Sequence, residues 1–154
     1  MEFDTNKDWL TISKSSFNGT GSMGNGSAMR VALIGTYFYD DLEKTAEQAR
    51  LSSEVTHYNT EAIAGAISVA VAAALCTNNE GIGKEDFLSQ VIEYTPESDL
   101  KYKIKKIKHL PKSYDIRTIV TALGNGTKML AQDTVPIALW NVCLLYTSPS
   151  PRDA

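Results

Sequence analysis

The chain is poor in cysteine, has no dominant charge and lacks a long apolar run, and each shortage excludes something. Two cysteines are present, Cys76 and Cys143, both in apolar, helix-like surroundings with no pairing motif. A disulfide framework is therefore not what holds the fold, and both are expected as buried thiols in a reducing compartment. With 15 Lys and Arg against 18 Asp and Glu, the net charge is −3, too little to draw the protein towards nucleic acid or a membrane surface. The most apolar stretch, Ala62 to Cys76, spans 15 residues. A membrane-crossing helix needs about 20, so this stretch is expected to be a buried central helix. The first ten residues, MEFDTNKDWL, are acidic and lack the apolar segment of a signal peptide, and a cytoplasmic protein is expected. No segment alternates convincingly with period two, which leaves the all-α class.

Helical spacing fills the chain instead, and 154 residues are enough for one domain with its own core. A first helix is expected over Ala28 to Phe38, with Met29, Ala32, Leu33, Thr36 and Tyr37 on one face. Asp40 and Asp41 cap a second, whose narrow inner side is Leu42, Ala46, Ala49 and Ser53. After a break at His57 to Asn59, the alanine-rich helix starts at Thr60-Glu61. Gly81-Ile82-Gly83 separates it from a fourth, with Phe87, Leu88, Val91 and Ile92 inward. Leu100 to Leu110 form a fifth, closed by Pro111. A sixth carries Ile116, Ile119, Val120 and Leu123, with Gly124 as its stop. Gln132 to Thr134 and Pro136 read as the cap and first turn of a seventh. Residues 1–20 show little pattern; Trp9, Leu10, Ile12 and Phe17 would need a partner surface.

The most informative segment is Gly21-Ser22-Met23-Gly24-Asn25-Gly26, placed directly before the first helix. Glycine lets a ligand come close to the main chain, and a helix starting there turns free N–H groups and a positive dipole end into the loop. That is the geometry of an anion site, with phosphate its commonest occupant. Standing alone, the same residues also suit a flexible connector. His57 sits in a break between helices, where it can reach a ligand or simply bond the capping groups around it. Arg30, one turn into the helix, suits a ligand contact or a structural ion pair.

Taken together, these residues resemble the ADP-ribosylglycohydrolase family. The likeness runs from Gly21 to Ala74, through Gly24-Asn25-Gly26-Ser27-Ala28-Met29-Arg30, the Ser53-Glu54-Val55-Thr56-His57 turn and the small-residue helix. It resumes at Leu123-Gly124-Asn125-Gly126 and at Gln132-Asp133-Thr134-Val135-Pro136-Ile137-Ala138-Leu139-Trp140. Residues 78–115 match only in being helical. The resemblance implies an orthogonal multi-helix bundle of that family's type, incomplete here, in which Gly21, Ser22, Met23, Gly24, Asn25 and Gly26 line the ADP-ribose cleft with His57 beside them. It implies a hydrolase that cleaves the glycosidic bond to ADP-ribose on a modified protein or small molecule. A non-catalytic ADP-ribose-binding or structural, crystallin-like protein of the same fold is the alternative.

The family's chemistry also implies a pair of divalent ions, magnesium or manganese, held by carboxylates. Those ligands come from a Thr-Asp-Asp motif upstream of the loop and an Asp-x-Asp-Thr motif after the Trp-containing helix, and this sequence contains neither. Asp4 and Asp8 are isolated, and Asp40-Asp41 is explained by capping. No catalytic or metal residue is therefore expected in this chain, the domain is expected over residues 1–143, and Met1 is doubtful as a true start. Residues 144–154, rich in proline and serine, look like a translated sequencing adapter and are expected to be a non-native tail. A chain of this kind should expose apolar helix faces. Lys101, Lys103, Lys105, Lys106 and Lys108 invite a nucleic-acid reading, but Leu100, Ile104 and Ile107 form a buried stripe that makes the lysines a solvated face.

Overall fold

A computed structural model describes residues 8–78, 82–111 and 113–145. Among them are eight α-helices: α1 (Trp9–Gly19), α2 (Ala32–Tyr37), α3 (Leu42–Glu54), α4 (Thr60–Asn78), α5 (Lys84–Tyr94), α6 (Asp99–Ile107), α7 (Ile116–Leu123) and α8 (Ala131–Leu145). A 3-10 turn, Ala28–Arg30, precedes α2. The β-type pairing among the described residues is one antiparallel bridge, Gly24 with Leu130. The all-α class stands.

The alanine-rich helix α4 is the axis of the domain, with α2, α3, α5, α6 and α8 packed against it. Ala62, Ala64, Ala66, Ala70, Val71 and Ala74 are fully enclosed. Small side chains let the neighbouring backbones come close. A Cβ added at Gly65 would lie 2.9 Å from Ala131 Cβ and 3.3 Å from Leu100 Cδ1, so α6 and α8 meet α4 at one point. At 19 residues α4 is long and apolar enough to cross a membrane, yet 61% of that apolar window is buried inside this fold. Its apolar character is used up by helix packing.

Several expected elements change shape. Ala28 to Phe38 is not one helix: it is the 3-10 turn and then the six residues of α2. Ser27 and Val31 are both pulled fully inside, where Ser27 Oγ donates to Ala62 O at 3.2 Å, and this tightens the turn. Further on, Gly35 presses on the backbone of Ala70, where a Cβ would collide. The consequence is that the apolar face carrying Met29, Leu33 and Tyr37 points outward, with these residues exposed at 77%, 79% and 77%. Val31 and Gly35 supply the contact instead.

Near the N-terminus, α1 exists because Asp8 caps it, its carboxylate accepting from Leu10 N at 2.7 Å and Thr11 N at 3.3 Å. Helix α6 stops at Ile107, three residues before the expected end, and turns at His109 and Leu110 deliver the chain to Pro111. Its stripe is as expected, Leu100, Ile104 and Ile107 all enclosed. Of α7, Ile119 and Leu123 are buried but Ile116 is exposed. Cys143 is buried while Cys76 is half-buried, and neither forms a disulfide.

Helix α8 begins at Ala131, which moves Pro136 from the first turn to the second. A proline there has no N–H for the carbonyl four residues back. That carbonyl is Gln132 O, and Lys103 Nζ donates to it at 2.8 Å and to Leu123 O at 3.3 Å. One lysine of the basic helix thus caps α7 and repairs α8. Of the expected tail, Leu144 and Leu145 continue α8 and residues 146–154 lie outside the described residues, as does Gly81 of the expected Gly81-Ile82-Gly83 break.

Candidate functional site

The Gly21–Gly26 loop is held from both sides. Gly21 takes φ +70°, and a Cβ there would stand 2.7 Å from Asn59 N, so the loop lies tight against the start of α4. Asn59 Nδ2 donates to Thr20 O at 2.8 Å, and Asn59 Oδ1 accepts from Glu61 N at 3.0 Å, joining the loop to that helix start. On the other side, Asn25 N donates to Met129 O at 2.9 Å and Ala131 N to Met23 O at 3.0 Å. Asn25 Nδ2 donates to Thr134 Oγ1 at 3.1 Å. The helices whose positive ends abut the loop are therefore α4 and α8, not the short α2. Some loop amides are already committed, Gly24 N donating to Ser22 Oγ at 3.2 Å.

His57 reaches this loop. A Cβ on Gly26 would come within 3.1 Å of His57 Cε1 and Nε2, and one on Gly24 within 3.3 Å of Nε2. The two glycines are thus spaces filled by a histidine ring. The backbone of His57 is clamped by the fully buried Ser53: His57 N donates to Ser53 O at 2.7 Å, and Ser53 Oγ to His57 O at 3.0 Å. Nδ1 lies 2.7 Å from Thr56 Oγ1, while Nε2 has no hydrogen-bond partner among the described residues. Burial first, and the nearby Arg30 charge second, hold the ring's pKa below its ordinary 6.5. Arg30 donates to Ser52 O, Ser52 Oγ and Thr56 Oγ1, so it ties the 3-10 turn to the end of α3 through hydrogen bonds and not an ion pair.

Two clefts flank the loop. One, of about 280 Å³, is lined by Phe17, Thr20, Gly21, Ser22, Met23, Gly24 and Leu130. The other, of about 220 Å³, is lined by Asn25, Ala28, Met29, Val69, Thr134, Val135 and Ala138. Both walls are largely apolar, which suits the flat faces of a ligand whose polar groups are met by backbone and by Asn or His side chains. Phe17, Thr20, Leu130 and Thr134 join the site here, although the sequence did not point to them. Phe17 carried a weak signal as an apolar residue without a pattern. In the fold it takes φ +54° and stands 70% exposed on the rim, a left-handed conformation that costs about 1–3 kcal/mol for a non-glycine residue.

The carboxylates at these helix starts have structural roles. Glu61 accepts from Asp99 N at 2.7 Å and Leu100 N at 3.0 Å, capping α6. Asp133 is buried and accepts from Lys128 N at 3.1 Å. Asp41 caps α3 through Lys44 N at 2.9 Å. A divalent ion pair needs several carboxylate oxygens converging on one point, and these are spread over three helix starts and committed to backbone N–H groups. Among the described residues, no group of carboxylates fits such a pair. The lysines of α6 and its C-cap face their own protein: Lys101 meets Glu97 at 2.9 Å, Lys106 lies 4.5 Å from the Tyr102 ring centre and the C-cap Lys108 reaches Ser89 Oγ at 2.8 Å.

The structure is thus an all-α domain with a glycine loop pinned between two helix starts and a histidine set into it. The ADP-ribosylglycohydrolase profile matches residues 3–154, and the chain belongs to that family. Among curated proteins it is similar to ADP-ribosylhydrolase ARH3 of Gallus gallus, 33% identical over 87% of this chain and 41% of that protein. It is also similar to ADP-ribosylhydrolase ARH3 of Bos taurus, 32% identical over 95% of this chain and 44% of that protein. An uncharacterized protein of Archaeoglobus fulgidus is 36% identical over 75% of this chain and 37% of its own length. The chain thus spans less than half the length of the curated relatives it matches.

Proposed function

We propose that this chain is the ligand-holding part of an ADP-ribosylhydrolase. It would bind the ADP-ribose group of a modified protein or small molecule across Gly21, Ser22, Met23, Gly24, Asn25 and Gly26, with His57 donating from the side. The observation that carries this reading is the placement of His57. A ring from the α3–α4 connection fills the space of two missing Cβ atoms and leaves Nε2, among the described residues, without a hydrogen-bond partner beside the Gly24–Gly26 backbone. Oxygen-rich groups such as diphosphate and ribose supply acceptors for that nitrogen and for the loop amides not already committed. The flanking apolar clefts, with Phe17 and Met23 on one rim, suit an aromatic base.

Hydrolysis of the glycosidic bond is the activity we assign to the whole protein, since the relatives named as ADP-ribosylhydrolases align with this region. Among the described residues, the carboxylates at the helix starts do not converge as the metal pair that such chemistry implies in the family would need. Added ADP-ribose should raise the melting temperature, His57→Ala should weaken that protection, and no ADP-ribosylated protein should be hydrolysed with magnesium or manganese present. If ADP-ribose leaves the melting temperature unmoved, the binding reading fails and a structural member of the fold remains. Turnover at the rate of a full-length relative would overturn the reading that the acidic motifs absent from this sequence are needed.

A further inference from the structure

Thr56 stands between a fixed charge and the histidine of the site. Arg30 Nη2 donates to Thr56 Oγ1 at 2.8 Å, and the same oxygen lies 2.7 Å from His57 Nδ1. A hydroxyl has one proton and two lone pairs, and a guanidinium can only donate. One lone pair of Oγ1 is therefore taken by Arg30, and the hydroxyl proton is directed to the remaining neighbour, Nδ1. The opposite arrangement would make Oγ1 accept twice and leave its own proton without a protein partner. The adjacent guanidinium also polarises the O–H and makes it the better donor. In a neutral imidazole, a nitrogen that accepts forces the proton onto the other one.

We propose that Thr56 is a positioning residue, which couples Arg30 to Nδ1 of His57 so that the ring proton sits on Nε2 and is offered to an acceptor oxygen, phosphate or hydroxyl, at the Gly24–Gly26 loop. The tautomer follows from the contacts above, while the ligand role rests on the ADP-ribose reading. Ser53 already fixes the backbone of His57 through two hydrogen bonds, so what is left for Thr56 to decide is the ring's orientation and tautomer. Burial and the Arg30 charge both disfavour a second ring proton, which keeps the tautomer question relevant near neutral pH. Thr56 and Arg30 are both exposed, so replacing the hydroxyl should leave the core intact.

The test is NMR of the ring nitrogens in the whole 15N-labelled chain near pH 8, where the ring is neutral, with calorimetric titration of ADP-ribose alongside. In the unaltered chain and in Thr56→Ser, Nε2 should carry the proton, and their affinities should agree within about twofold. In Thr56→Val, a measurable fraction of Nδ1–H should appear and affinity should fall about five- to tenfold, the worth of one hydrogen bond. A proton on Nδ1 in the unaltered chain, or an Nε2–H population unmoved by Thr56→Val, overturns the proposal. If the unaltered chain shows the Nε2–H tautomer and loses it in Thr56→Val but does not bind ADP-ribose, the relay stands and the ligand reading falls.

Discussion

The tripeptide Gly-Asn-Gly occurs twice, at Gly24-Asn25-Gly26 and at Gly124-Asn125-Gly126, and the fold uses it in two different ways. In the first copy neither glycine takes a left-handed φ, and the missing Cβ atoms make room for the ring of His57. In the second copy Gly124 has φ +110° and Gly126 φ +79°. There the glycines exist for their backbone angles, and Gly124 also presses on the backbone of Asp133. The asparagines differ in the same way. Asn25 reaches across to Thr134 on α8, while Asn125 turns back on its own loop and accepts from Thr127 N at 3.0 Å. The lesson is that glycine has two separable properties, absent volume and free φ, and a motif does not say which is in use.

The sharpest way to break this contrast is to add one methyl to each copy. Gly124→Ala should cost about 3 kcal/mol or more, because the backbone angle is closed to alanine and the Cβ strikes main-chain atoms that cannot move aside. Gly26→Ala meets only a ring that can swing away, so it should cost under about 1 kcal/mol by denaturant unfolding while ADP-ribose protection falls sharply. Equal losses of stability in the two variants would erase the distinction.

A smaller effect should come from the lysine that supports the second copy. Lys103→Met removes the donor to Gln132 O and Leu123 O, and two orphaned carbonyls should lower stability by about 1–2 kcal/mol. Lys105→Met, whose partner Glu97 is 3.8 Å away and itself exposed, should stay within about 0.5 kcal/mol. A Lys103 variant as stable as the Lys105 one would show that the proline-broken turn of α8 is satisfied by water instead.

The smallest effect belongs to the first copy and to pH. Because folding holds the pKa of His57 below 6.5, the ring is neutral in folded and unfolded chains above that value and costs nothing. As pH falls through 6.5, the unfolded chain takes up its proton first, and stability declines until the folded ring titrates as well. The melting temperature should therefore drop further between about pH 7 and about pH 5 in the unaltered chain than in His57→Gln. Identical slopes would mean that folding does not lower the pKa of the ring.

Much of the bundle was legible because amphipathic spacing and caps act locally. The inner side of α3, the stripe of α6, the stop at Gly124 and the burial of α4 all follow from residues within a turn or two of each other. The face of α2 was not legible: Met29, Leu33 and Tyr37 have the right period, but the close contact at Gly35 turned the opposite side towards α4. Helix α1 hid behind a cap at Asp8 whose carboxylate gave no hint of its three-residue partner. At the candidate site, the loop and His57 stood out by composition and position. Phe17 and Leu130 did not, since they are ordinary apolar residues that become part of a cleft by packing.

By itself, then, the sequence determined the all-α class, the central place of the alanine-rich helix and the family, because these depend on periodicity, on small side chains and on residues in fixed order. The tertiary structure alone decided which face of each short helix is buried, which glycine is a space and which a hinge, and that His57, Thr56 and Arg30 form one chain of contacts. Those outcomes depend on distances between segments far apart along the chain, and no local pattern carries such distances.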